Sequence, residues 1–124
     1  MAYRKTLFLS LSAWYATFAA AHLYHGWEIF QDPAITLALP GHFLASYKGN
    51  YYGLTALMLT LSYQHYRWSA SSSPHTKSEI RIITGLATAL VSGIGAYYSQ
   101  HGEPGLWPVM VFAAGFQALG WIAA

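Results

Sequence analysis

Two histidines and a glutamate follow one another at three-residue spacing as His22, His25 and Glu28. In a helix this spacing rotates successive side chains by about 60°, so the set covers an arc of roughly 120° on one face. Imidazole and carboxylate groups held together are suited to general acid–base chemistry, in which one group accepts a proton and another donates it. The spacing would therefore allow the three side chains to converge on one pocket.

Tyr52 and His101 extend this set, provided that the fold brings them to the same place. Under an enzyme hypothesis, His22, His25 or Glu28 moves a proton, while Tyr52 or His101 polarises an oxygen of the substrate. Such a set would suit an isomerisation or the opening of an epoxide. The elements that position these residues decide whether they meet.

The composition is unusually apolar, with 55% hydrophobic, 17% aromatic and 8% charged residues, whereas ordinary soluble proteins carry roughly 25% charged residues. A surface facing water is hard to build from such a chain, which predicts an integral membrane protein. The formal charge of +2 is too small to recruit nucleic acid. The absence of cysteine excludes disulfides, thiolate metal sites and thiol nucleophiles.

Four stretches meet the requirement of about 20 mostly apolar residues for a helix that crosses a bilayer. They run over about 6–29, 50–68, 80–99 and 105–123. Formal charges within these limits lie close to the helix ends, at Glu28, Arg67 and Arg81. The predicted fold is therefore all-α, a four-transmembrane-helix bundle that forms a single membrane domain over residues 1–124.

The distribution of basic residues predicts the orientation of this bundle, because Lys and Arg beside short loops stay in the cytoplasm. Lys48 falls on one side of the predicted bundle, and the other basic residues fall on the opposite side: Arg4, Lys5, Arg67, Lys77 and Arg81. Both termini are thus predicted to be cytoplasmic, in a multi-pass protein of the bacterial inner membrane. An exoplasmic segment over 30–49, apolar between Pro33 and Pro40, is predicted to be partly re-entrant or interfacial.

A secretory signal peptide is the alternative for the first segment. Arg4 and Lys5, the apolar run and the small residues Ala19 to Ala21 fit that description as well. The apolar run is longer than the usual 7–15 residues, which favours a membrane span. With this span in place, all the candidate catalytic residues fall in or beside the exoplasmic half.

The same polar residues also have a purely structural interpretation. Histidine, tyrosine and glutamate are typical of helix ends, and His22 would hydrogen-bond a neighbouring helix. No HExxH or paired ExxH motif for a metal site is present. A haem held by two histidines would need a second histidine opposite His22 or His25 on the facing helix, but His65 sits at the opposite end of that helix. We therefore predict no cofactor and no metal.

The order of these features resembles the DoxX-like group of small four-helix membrane proteins. The likeness lies in the run from His25 to Pro33, in Asn50-Tyr51-Tyr52-Gly53, and in Gly102-Glu103-Pro104 before the last helix. An arginine expected ahead of that last turn is missing. The resemblance implies a small four-helix membrane protein, in a group of which some members are linked to membrane redox systems, and it transfers no catalytic residue.

Two functions follow from the sequence. The first is a non-catalytic accessory or interaction subunit of a membrane system, whose partners are the lipid bilayer and either another membrane protein or further copies of the chain. The second is a membrane-embedded acid–base enzyme acting on a lipophilic small molecule. An enzyme requires at least two ionisable groups within hydrogen-bond reach of each other, whereas a packing subunit should have those groups individually satisfied or solvated.

Overall fold

A computed structural model describes residues 2–71, 73–100 and 107–122 of the chain. This part of the chain is almost entirely helical and contains five helices: α1 (Ala2–Gln31), α2 (Pro33–Ala38), α3 (Gly41–Ala70), α4 (Pro74–Gln100) and α5 (Trp107–Ile122). The short α2 lies between the two longest helices, α1 and α3, which carry most of the candidate site.

The breaks on either side of α2 arise from local chemistry. Asp32 caps the helix, because its Oδ1 accepts a hydrogen bond from the Ala34 amide at 2.8 Å, and Pro33 fits the first helical position since it has no amide hydrogen to satisfy. Leu39 is extended, as the residue before a proline generally is. The second long helix then begins at Gly41 rather than at Asn50, so much of the predicted exoplasmic segment is helical.

The prediction of a four-transmembrane-helix bundle is wrong, because no helix in the described part of the chain is both long enough and apolar enough to cross a bilayer. The 16 residues of α5 span about 24 Å, against roughly 30 Å of hydrocarbon. The longer α1, α3 and α4 have 30, 30 and 27 residues, with hydroxyl, imidazole or amide groups distributed among their apolar residues.

The error has a clear origin in the composition. Ten tyrosines and five tryptophans were counted as hydrophobic, although each carries a polar group. The predicted multi-pass location in the bacterial inner membrane, the cytoplasmic termini and the re-entrant exoplasmic segment all depended on the spans, and they are wrong for the same reason.

The chain divides into two compact units. The terminal unit comprises Met1–Leu11 and Arg67–Ala124, and the middle unit comprises Ser12–Tyr66. In the terminal unit, α4 packs against α5. Its apolar core is formed by side chains from the start of α1, the end of α3 and α4: Leu7, Phe8, Leu11, Trp68 and Ile80.

Polar contacts within the terminal unit secure the junction between α3 and α4. The Arg4 guanidinium donates a hydrogen bond to the Ser71 carbonyl at 2.6 Å and lies 5.3 Å from the centre of the Phe8 ring. Ser73 caps α4, because its hydroxyl accepts a hydrogen bond from the Thr76 amide at 3.2 Å. The start of α1 is thus bound to the point where α3 ends.

In the middle unit α1 and α3 pack as an antiparallel pair. Rising positions on α1 meet falling positions on α3 in three contacts: Ser12 with Ser62, His22 with Thr55, and Phe30 with Tyr47. A fourth contact joins the rings of Tyr15 and His65. On each helix these contact residues are three, seven or eight positions apart, which are spacings that keep side chains on one face of a helix. This pair positions the candidate site.

Candidate functional site

His22 is the candidate catalytic residue whose side chain hydrogen-bonds across the α1/α3 pair. Its Nδ1 lies 2.9 Å from the Thr55 hydroxyl oxygen, and that hydroxyl donates its own proton to the Tyr51 carbonyl at 3.2 Å. Because the Thr55 proton is already committed, Nδ1 must be the donor in the bond to Thr55. The neutral imidazole therefore carries its proton on Nδ1 and has an electron pair on Nε2.

Tyr51 covers the same imidazole. The two rings stack with their centres 3.7 Å apart and their planes at 11°, and the Tyr51 hydroxyl donates a hydrogen bond to the His22 carbonyl at 2.7 Å. A Cβ atom on Gly26 would lie 2.3 Å from the Tyr51 ring, so only glycine permits this approach. Gly26 therefore holds open the space in which the Tyr51 ring packs.

The surroundings of His22 disfavour its charged form. Burial lowers the pKa of the imidazole from its ordinary value of 6.5, and the charge of the nearby His25 lowers the pKa further. His22 is half-buried and is bonded through one nitrogen, so near neutral pH it is an uncharged part of the contact between α1 and α3.

The other described candidates lie on the surface, and the Tyr52 ring also contacts Phe30 of α1, with ring centres 5.9 Å apart. His25 and Glu28 are exposed, as is Tyr52, of which 45% is accessible. Glu28 hydrogen-bonds Tyr24 and, through that bond first and its charge second, raises the pKa of the Tyr24 phenol. His101 lies outside the described residues.

The structure therefore does not assemble these side chains into a catalytic group. No hydrogen bond joins any two of His22, His25, Glu28 and Tyr52, all of which belong to the described part of the chain. Within the same part, no three His, Cys, Asp or Glu side chains are placed to hold a metal ion.

A second contact, a stack of the Tyr15 and His65 rings, is more deeply buried between the same helices. The His65 ring is fully buried, its Nδ1 donates to the Leu61 carbonyl at 2.5 Å, and its centre lies 5.4 Å from that of Tyr15. The buried Tyr15 hydroxyl has no hydrogen-bond partner among the described residues, and burial raises the pKa of its phenol to about 12. The sequence analysis missed this contact, although Tyr15 precedes His22 by seven residues and so lies on the same face of α1.

Aromatic side chains close the end of the helix pair near α2. The Phe30 ring meets Tyr47 and Tyr51 nearly edge-on, with ring centres 5.6 and 5.5 Å apart, and the Lys48 ammonium lies 5.3 Å from the Phe30 ring centre. Aromatic pairs at such distances and angles are favourable beyond the area that they bury. This cluster fixes the end of α1 against α3.

The helix pair also presents an exposed surface, which we call the outer face. Each residue of the outer face comes one position after a residue that faces the other helix, so its side chain is rotated by about 100° from the contact between the helices. Because α1 and α3 are antiparallel, this rotation brings the outer-face residues of the two helices to the same side of the pair. On α1 the stripe consists of Ala13, Ala16, Ala20, Leu23 and Trp27, all exposed. On α3 it consists of Tyr52, Ala56, Leu59 and Tyr63, all exposed.

The outer face is uncharged and rich in large apolar side chains. Leu23 and Trp27 are 47% and 64% exposed, and Leu59 and Tyr63 are 53% and 61% exposed. An apolar surface of this extent commonly marks a site of interaction with another molecule. The sequence already contained its signal, which is a spacing of three and four in both helices, displaced by one from the inward-facing stripe.

Comparison of the chain with protein-family models, with curated proteins and with solved structures finds no match. The resemblance to the DoxX-like group therefore stays a prediction, and the function is argued from the geometry alone.

Proposed function

We propose that this chain is a non-catalytic interaction protein that binds another polypeptide through the outer face of the α1/α3 pair. The observation that carries the proposal is the uncharged outer face, on which Trp27 is 64% and Tyr63 61% exposed. Tryptophan and tyrosine supply much of the binding energy in protein interfaces, where their large rings are desolvated.

The positions of the acid–base candidates also favour an interaction protein over an enzyme. Proton-transfer catalysis needs an acid and a base within reach of one substrate, and the described candidates form no hydrogen-bonded group. His22 is occupied by Thr55 and stacked on Tyr51, whereas His25 and Glu28 are exposed. The position of His22 is therefore best explained by helix packing, and the positions of His25 and Glu28 by contact with solvent.

Neighbouring alanines on α1 provide a matched test. Ala20 lies on the outer face, whereas Ala21 is also exposed but points about 100° away from that face. Each alanine in turn is replaced by the photo-reactive residue p-benzoylphenylalanine in living cells, and covalent adducts are identified by mass spectrometry after irradiation. A discrete protein adduct at position 20 that is absent at position 21 is expected. Equal labelling at both positions, or none at position 20, would refute the proposal.

A further inference from the structure

We propose that the outer face binds the same face of a second copy of this chain, so that two α1/α3 pairs form a four-helix bundle. The inference rests on the proposed interaction function and names its partner. An interface of this kind is isologous, because each copy contributes the same residues on either side of a two-fold axis.

The area of the outer face fits a dimer. From the exposed fractions of Leu23, Trp27, Tyr52, Leu59 and Tyr63, these large side chains present about 600 Å² of accessible surface per copy. The exposed alanines between them bring the face close to the roughly 800 Å² per partner of a standard stable interface. A second copy therefore covers the face with an area sufficient for a lasting complex.

The spacing of the outer face also suits helix packing. Both stripes advance by alternating steps of three and four residues, as in the interhelical contacts of bundles and coiled coils. Because the stripes are uncharged, pairing identical faces brings no like charges together. Two-fold pairing of the outer faces gives a bundle in which facing helices run antiparallel.

The distribution of small and large side chains makes the face complementary to itself. The contacts of Ser12 with Ser62 and of Tyr15 with His65 place the large Tyr63 level with the stretch of α1 that contains the small Ala13 and Ala16. A two-fold axis parallel to the helices keeps these heights and sets α1 opposite α3 of the second copy. Tyr63 of each copy then lies over the alanines at the start of the other copy's middle-unit α1.

At the other end of the outer face, the large residue lies on α1 and the small residue on α3. Trp27 lies at the height of Gly49 on α3, where a Cβ atom would meet nothing within 4 Å. In the dimer the indole of each copy reaches the open space beside Gly49 of the other. A large residue thus opposes a small one at both ends of the interface.

Cross-linking tests both the partner and the arrangement. The chain has no cysteine, so introduced cysteines report on their own positions alone. Ala20 precedes His22 by two residues and Ala56 follows Thr55 by one, so they lie at nearly the same height and face each other across the interface. The full-length variants A20C and A56C are mixed and mildly oxidised, and A21C replaces A20C in the control.

We expect a disulfide-linked dimer from A20C with A56C, formed at least about tenfold faster than from A21C with A56C, since a disulfide requires Cα atoms within roughly 7 Å. Equal rates would overturn the proposal. A dimer of A20C with itself at the faster rate would also overturn it, because α1 would then face α1.

Charge insertion tests the same surface without cross-linking. L59E places a carboxylate on the outer face, whereas L57E places one at an exposed position on a different face of α3. We expect L59E to weaken self-association, measured by analytical ultracentrifugation, at least about 100-fold, because a buried charge without a partner is costly. L57E should leave the mass at twice 13.7 kDa. Equal dissociation in both variants would overturn the proposal, and circular dichroism verifies that both remain helical.

The two proposals can fail separately. A photo-adduct at position 20 whose second component is a different protein would support the interaction function and overturn self-association. An absence of any adduct at position 20 would overturn both.

Discussion

Replacing Gly26 by alanine tests whether the stack of His22 on Tyr51 holds α1 against α3. The added Cβ would lie 2.3 Å from Tyr51 Cε1 and 2.8 Å from Cδ1, well inside ordinary van der Waals contact. The Tyr51 ring cannot move freely, because it is stacked on His22 and its hydroxyl is bonded to the His22 carbonyl. The methyl group therefore has to displace the ring or separate the helices.

The expected cost follows from these contacts. Overpacking costs about 1–3 kcal/mol, and loss of the tyrosine hydrogen bond adds about 1 kcal/mol. The better helix propensity of alanine returns about 1 kcal/mol. We therefore expect G26A to lower the free energy of unfolding, measured by chemical denaturation, by about 1–3 kcal/mol.

Gly53 supplies the matched control, because it also lies inside a helix of the middle unit and a Cβ there would meet nothing within 4 Å. G53A should leave stability unchanged or raise it by up to about 1 kcal/mol. Should G26A prove as stable as G53A, the close approach of Tyr51 to α1 would not exist as described, and the account of the site would be wrong.

Three further predictions concern the same helix pair. T55V removes the acceptor for the His22 proton and should cost about 1–2 kcal/mol in denaturation, whereas T60V, at an exposed hydroxyl on the same helix, should cost less than about 0.5 kcal/mol. Burial and His25 lower the pKa of His22 in the folded state, so stability should fall as the pH drops from 6.5 toward that lowered pKa and then level off. H22Q should flatten this pH dependence in denaturation experiments. Y15F removes a buried hydroxyl that has no partner among the described residues, so it should leave stability unchanged or raise it. Because burial raises the pKa of Tyr15 to about 12, Y15F should also reduce the loss of stability as the pH climbs from 10 toward 12. A marked loss of stability in Y15F at neutral pH would contradict this assignment.

Local sequence patterns predict local features of this molecule better than they predict its environment. Pro33 and Pro40 mark the breaks on either side of α2, because a proline restricts the backbone before it. The structural interpretation of His22 predicted a hydrogen bond to a neighbouring helix, and the bond to Thr55 confirms it. Membrane spans were predicted from composition, which did not separate tyrosine and tryptophan from aliphatic residues, and that prediction was wrong.

The partners of His22 could not be predicted, because they depend on how two distant segments align. Thr55 lies 33 positions from His22, and only the register of α1 against α3 brings the two side chains together. Shifting either helix by one turn would place a different residue opposite the imidazole. The requirement for glycine at position 26 depends on the same register, since it arises from a ring on the other helix.

The short helix α2 buries no side chain, and 86% of Leu37 is accessible. Added sequence in the link between the two longest helices should therefore disturb few contacts of the described residues. A reporter epitope inserted between Thr36 and Leu37 should leave the stack of His22 and Tyr51 intact. The same property should make this link an early site of proteolysis and of amide-hydrogen exchange with deuterium among the described residues.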